Sequence, residues 1–154
     1  MTLEWISAVY NRVHANGSVY IATTVENLKP TLRALRESQF YEVNHIVWLA
    51  SSGSAASEES HHHILFVAPD ANVRTFNMEA VFSKSQRLPS GGSANYADRE
   101  DVWGQETTPL SWADVVTKII KYSSNRADKV SSFCTESQVV KSAAVALERQ
   151  FVHL

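Results

Sequence analysis

Apolar side chains recur at Leu3, Ile6, Val9, Tyr10 and Val13, the spacing of one helix face, so a helix is predicted over 3–13. Thr2 is its candidate N-cap and Asn16-Gly17 its stop. Val19 to Thr24 is rich in β-forming side chains and predicts a strand. Leu28, Leu32 and Leu35 return to helical spacing, which predicts a helix from about 26 to 38 with Pro30 in its first turn. Phe40 to Ala50 and His62 to Ala68 read as two strands of a hairpin, joined by a Ser-rich loop over 51–60.

The second half is less periodic. Met78 to Leu88 is either a strand or the end of a linker, Pro89 to Ser93 is a loop, and 97–110 is polar and reads as an insertion. Ser111 is a good N-cap for a helix over 112–122, with Trp112, Val115, Val116, Ile119 and Ile120 on its buried face. A short strand over 130–134, a helix over 139–147 and a strand over 151–154 follow. The expected class is α+β in two small units. Residues 1–75 form an α-β-α-β-β unit with helices on one side of its sheet. Residues 76–154 form a β-rich unit with one or two helices.

Composition narrows the function classes. The chain has 154 residues, 44 % of them apolar, enough for one globular unit or two small ones. No apolar run is long enough to span a bilayer, and no segment has the pattern of a secretory signal. The single cysteine, Cys134, precludes an internal disulfide and suits a reducing compartment. A net charge of −2 argues against broad, nonspecific nucleic-acid binding and leaves room for a local patch.

Four segments carry a family resemblance. The last residues, from Cys134 to Leu154, read as a polar turn, an alanine-rich run and a strand-like tail. Trp5 to Asn11 forms a first helix followed by a strand; Leu28 to Phe40 carries Leu-Arg-Ala-Leu-Arg-Glu-Ser-Gln-Phe; Ser85 to Tyr96 carries Arg87, Pro89, Gly91 and Tyr96. In this order they resemble ribosomal protein eight of the small subunit. That resemblance implies a structural constituent of the ribosome that binds small-subunit rRNA and supports assembly. Its implied partners are rRNA and neighbouring ribosomal proteins, with no cofactor, metal, membrane or small-molecule substrate. The family's Ser-Thr-Ser-Lys-Gly loop reads Cys134-Thr135-Glu136-Ser137-Gln138 here, and Ala94 stands where the family has an arginine. These departures, with the low basicity, suit a divergent mitochondrial ribosome, with the cytoplasm as second choice.

The RNA-contacting residues implied are Asn11, Arg12, Arg87, Asn95, Tyr96, Cys134, Thr135, Glu136, Ser137 and Lys141. Hydroxyls at Thr135 and Ser137 suit phosphates or 2′-hydroxyls, Lys141 a phosphate, and Tyr96 a stacked base. The bland readings are a polar turn for the loop, a solvated helix end for Asn11 and Arg12, and a core side chain for Tyr96. Arg33 and Arg36 read as a solvated face. His61-His62-His63 reads as a solvated strand start, since no further ligand pair stands at zinc spacing. Cys134 lacks a signature of a nucleophile, the acidic cluster Asp98, Glu100 and Asp101 reads as solvated, and Gly91-Gly92 lacks the lysine of a phosphate loop. No catalysis is expected. The alternative is a protein–protein adaptor or inhibitor of α+β fold, with Trp103 as a partner anchor.

Overall fold

In the computed structural model, described for residues 4–49, 61–77, 102–103, 110–133 and 137–153, an α-β-α-β-β run opens the chain. Helix α1 (Trp5–Tyr10) is followed by strand β1 (Val19–Thr23), helix α2 (Val25–Glu37) and strands β2 (Tyr41–Leu49) and β3 (His61–Ala68). Then come β4 (Val102–Trp103), α3 (Trp112–Ser123), β5 (Lys129–Val130), α4 (Ser137–Ala146) and β6 (Gln150–Phe151). The class is α+β. The expected N-cap Thr2, the 51–60 loop and the 78–93 segment lie outside the described residues.

Strand order in the larger sheet is β1-β3-β2-β4. β3 is antiparallel to β1 and to β2, whereas β2 and β4 run parallel. Strands β1, β2 and β4 therefore point the same way, with β3 inserted against them. Every side chain of β3 from Ile64 to Ala68 is buried. That continuous apolar run is what a strand covered on two faces requires.

Each face has its own helical layer. Ile21, Leu65 and Val67 pack against Ile6 and Val9 of α1, Leu35 of α2 and Phe40. Ile46, Trp48, Ile64 and Phe66 pack against Trp103, and against Val115 and Tyr122 of α3. The alternation of β3 thus divides its side chains between α1 and α2 on one side and α3 on the other. Helices on one side describe the first five elements, and α3 closes the opposite face.

Within the stretch 97–110, read as a polar insertion, residues 102–103 form a strand of the larger sheet. They pair in parallel with Val47 and Trp48, and Trp103 is only 4 % exposed, so it is a core side chain rather than a partner anchor. Too short to show a period, β4 escapes any pattern search. The Trp48 indole donates to the Leu110 carbonyl at 3.0 Å and ties the same segment down again.

Helix boundaries follow local chemistry. Ser111 and Asp114 form a reciprocal capping box at the start of α3. Pro30 sits in the second turn of α2 rather than its first, so one backbone bond of that helix is forgone. After α4, Glu148 takes a left-handed conformation (φ 61°) and Arg149 N–H reaches back to the Ala144 carbonyl at 2.8 Å. This is the helix-ending motif that glycine usually supplies. It turns the chain into β6, which pairs in parallel with β5.

Candidate functional site

The parallel pair β5 and β6, bridged by α4, is a β-α-β unit. Lys129 pairs with Gln150 and Val130 with Phe151, so the carboxyl ends of the two strands lie side by side. Val152 N–H to the Val130 carbonyl, at 2.9 Å, extends the pairing past β6. In open sheets of this kind, ligands sit in the crevice outside the carboxyl ends of the strands. Here that crevice begins with Ser131, Ser132 and Phe133 after β5, and Val152 and His153 after β6.

Phe133 is 36 % exposed, large for a phenylalanine, and its ring stacks on Trp5 of α1 at 5.6 Å between centroids. The Trp5 contact brings the start of α1 to the end of β5. Ser131 and Ser132 beside it are half-buried. The His153 ring stands edge-on to Phe151 at 5.0 Å. Phe133 and Trp5 thus stand as a stacked aromatic pair directly after the half-buried Ser131 and Ser132.

Behind the crevice, polar staples fix the strands. Arg149 donates to the Ser124 hydroxyl at 3.0 Å, to the Ser124 carbonyl at 2.6 Å and to the Leu147 carbonyl. Asn77 donates to that same Ser124 carbonyl at 2.7 Å and to the Lys121 carbonyl at 3.0 Å. Arg126 pairs with Glu148 on the surface. The Tyr20 hydroxyl of β1 meets the Ser123 hydroxyl at 2.5 Å. Burial pushes the Tyr20 phenol up, so it stays protonated as a hydrogen-bonding group.

A second cluster stands at the carboxyl ends of β1 and β2. His63 is opposite Thr23 and Val47, and His61 is opposite Leu49. His45 Nε2 and His63 Nδ1 are 2.8 Å apart, and the His61 ring is edge-on to His63. Such a pair needs one nitrogen to donate and the other to accept, so at least one of the two rings is neutral. The strand start expected at His62 begins at His61. Among the described residues no three His, Cys, Asp or Glu converge as metal ligands.

The residues singled out for RNA fall in separate places. Asn11 and Arg12 are exposed just after α1, whereas Ser137 and Lys141 are exposed on α4. Arg87, Asn95, Tyr96, Cys134, Thr135 and Glu136 lie outside the described residues, as do Asp98, Glu100 and Asp101. Sequence reasoning missed Trp5, Ser131, Ser132 and Phe133. The available signal was the order strand, polar loop, alanine-rich helix, strand, which is a parallel crossover pattern.

No protein-family model and no curated protein matches the sequence. Solved structures do match the fold. M1.HpyAVI, solved with S-adenosylmethionine, superposes with a TM-score of 0.69 at 20 % identity, over 99 % of this chain and 75 % of that one. PvuII DNA methyltransferase, cytosine-N4-specific, gives 0.71 at 11 % identity, over 98 % of this chain and 63 % of that one. TTHA0409 of Thermus thermophilus, a proposed DNA modification methylase, gives 0.64 at 15 % identity, over 96 % and 68 %. At these identities the likeness establishes the fold.

That finding overturns the ribosomal reading. Within the segment that carried the resemblance, Ser137–Ala146 and Gln150–Phe151 are the helix and second strand of a parallel β-α-β unit, and the whole chain matches methyltransferase structures. Short resemblances in a common α-β-α-β-β order carried the ribosomal assignment, and the near full-length matches to M1.HpyAVI and PvuII methyltransferase decide against it. With it go ribosomal assembly and translation as the role, and rRNA and ribosomal proteins as partners. The expectations of no catalysis and no small-molecule substrate fall too, since the matched folds belong to methyltransferases and M1.HpyAVI was solved with a bound small molecule. The chain has the fold of DNA methyltransferases.

Proposed function

We propose that this chain is an S-adenosylmethionine-dependent methyltransferase unit acting on DNA bases. The observation that carries the reading is the match of nearly the whole chain to M1.HpyAVI and PvuII methyltransferase. The donor supplies a methyl group on a cationic sulfonium, and transfer to a base leaves the sulfur as a neutral thioether. The residues at the β5 end fit such a molecule by their chemistry. Phe133 offers an aromatic face to a cation or an adenine ring. Ser131 and Ser132 offer hydroxyls to a carboxylate. The donor has no pyrophosphate, so the glycines that let a backbone approach one are not required of this loop.

The chain's own part is to bind and orient. Trp5 backs Phe133 and holds its ring in place. Arg149 and Ser124 lock the strands from which the loop springs. With a net charge of −2, DNA contact rests on a few local cations, and its salt dependence is correspondingly shallow.

Tryptophan fluorescence of the full chain titrated with S-adenosylhomocysteine tests the reading. Binding is expected near the micromolar range, about −8 kcal/mol, and Phe133→Ala is expected to weaken it roughly tenfold. Tritium from the labelled donor is expected in DNA. No thioether binding and no label in DNA would sink the proposal.

A further inference from the structure

α3 ends without the glycine that commonly ends a helix. Its C-cap, Ser124, is extended (φ −144°, ψ 154°), and no glycine stands between Gly104 and Leu154. The carbonyls of the last turn still need donors. The Ser124 hydroxyl donates to the Ile120 carbonyl at 2.5 Å. Asn77, 44 to 47 positions earlier in the chain, serves three more carbonyls. Its side-chain amide donates to Lys121 at 3.0 Å and to Ser124 at 2.7 Å. Its backbone N–H donates to Tyr122 at 2.7 Å. Only the nitrogen of that amide, never its oxygen, can face two carbonyls.

Asn77 is itself tied to the larger sheet. It lies in the segment that leaves β3 at Ala68. Thr75 N–H donates to the Asn16 carbonyl, just ahead of β1, at 3.0 Å, and the Phe76 ring stacks on Phe66 of β3 at 6.4 Å. From the other region, Arg149, just ahead of β6, donates to the same Ser124 carbonyl at 2.6 Å. One carbonyl thus takes a donor from each region, which fills both of its lone pairs. Ser124 is 7 % exposed, so water does not stand in for a lost donor.

The path from Ser124 to the candidate site is short and stiff. Asn125 N–H donates to the Asp128 carboxylate at 2.7 Å, and Asp128 N–H returns to the Asn125 carbonyl at 3.1 Å. β5 starts at the next residue, Lys129, and leads straight to Ser131, Ser132 and Phe133. A shift of Ser124 is therefore passed to Phe133 and to its stack on Trp5. We infer that Asn77 is a positioning residue of the candidate site. Acting through the Ser124 carbonyl, it sets where β5 and the Ser131–Phe133 stretch stand against the larger sheet. Its bearing on a methyl donor rests on the function proposed above; its bearing on β5 does not.

Hydrogen exchange on the full chain, with Asn77→Ala as the variant, tests the inference. The substitution removes the side-chain amide, adds no charge beside Arg149 and leaves the backbone bond to Tyr122. Exchange is expected to quicken about tenfold over 129–133 and 150–153 while β2 and β3 keep their protection. Unchanged exchange over 129–133, even with a frayed last turn of α3, would overturn the inference, since Asn77 would then be a helix cap alone. Equal quickening of β2 and β3 would also overturn it, as a loss of overall stability. Arg149→Met in the Asn77→Ala background gives a second check. Two donors on one carbonyl are coupled, so the double variant is expected to fall well short of the product of the two single effects. A simple product would show independent sites and count against the inference. In the binding titration, Asn77→Ala is expected to weaken S-adenosylhomocysteine about fivefold, and Ser111→Ala, at the far end of the same helix, by less than about twofold. Equal weakening by both would make the effect a general one and overturn the positioning role. A wild type that binds no thioether sinks the methyltransferase reading alone, and the exchange pattern still decides the role of Asn77.

Discussion

β3 buries every side chain from Ile64 to Ala68, whereas no side chain of β5 or β6 is fully buried. The larger sheet is held by two apolar layers. The β5-α4-β6 unit has a thin core of Val116, Ile120, Val140 and Ala144, and leans on hydrogen bonds around Arg149 and Ser124. Burial of apolar surface is non-directional and grows with area. Polar staples are directional and set geometry. The rigid sheet is thus the platform, and the stapled unit is the part whose strand ends carry the candidate site.

Deleting apolar volume from the platform has the largest expected effect. Leu65 has 0 % exposure and sits among Ile6, Leu35 and Val67. Leu65→Ala is expected to cost about 2–5 kcal/mol, from lost transfer energy and the cavity left behind. Urea denaturation checks it. A loss below about 1 kcal/mol would show that this layer is not what holds the sheet, and the contrast between the two regions would fail.

Arg149→Met keeps much of the stem and removes the guanidinium. It breaks the bonds to Ser124 and Leu147. Bonds to charged groups contribute more than neutral ones, and Arg149 is half-buried, so about 1–2 kcal/mol is expected. The location of the loss matters more than its size. Amide exchange should quicken in β5 and β6 while β2 and β3 stay protected. Uniform quickening would mean that the two regions melt as one and that the staple is not local.

The same contrast explains what was legible in the sequence. The platform elements are long and strongly patterned, so α2, β1, β2 and β3 fall within a residue or two of their expected bounds. α3 was legible from Ser111 and its apolar face, although Tyr122 is buried where Trp112 and Ile119 are half-buried. The stapled unit uses two-residue strands and a helix ended by Glu148 in a left-handed conformation, where no glycine marks the stop. β4 is equally short. Such strands leave no period, and their parallel pairing depends on partners far along the chain. The site residues shared that fate: Phe133, expected inside a strand over 130–134, stands beyond the end of β5 and against Trp5.

α3 belongs to both regions, so weakening its start should unsettle each slightly. Val115 and Tyr122 face the sheet, and Val116 and Ile120 face α4. Asp114 accepts from the Ser111 hydroxyl at 2.6 Å and from the Ser111 backbone at 2.9 Å, while its own N–H donates to Ser111 Oγ at 3.2 Å. The Ser111 hydroxyl, and then its backbone N–H, hold the Asp114 carboxyl below its usual range. A depressed folded pKa means this contribution is full above the unfolded carboxylate value and fades as pH falls through the folded one. Ser111→Ala is expected to cost about 1 kcal/mol at pH 7. Part of that difference from the wild type should vanish in acid, where Asp114 is protonated in either protein. Urea midpoints of the two proteins at pH 7 and in acid measure it. An unchanged gap would show that the hydroxyl caps the helix without help from the carboxylate.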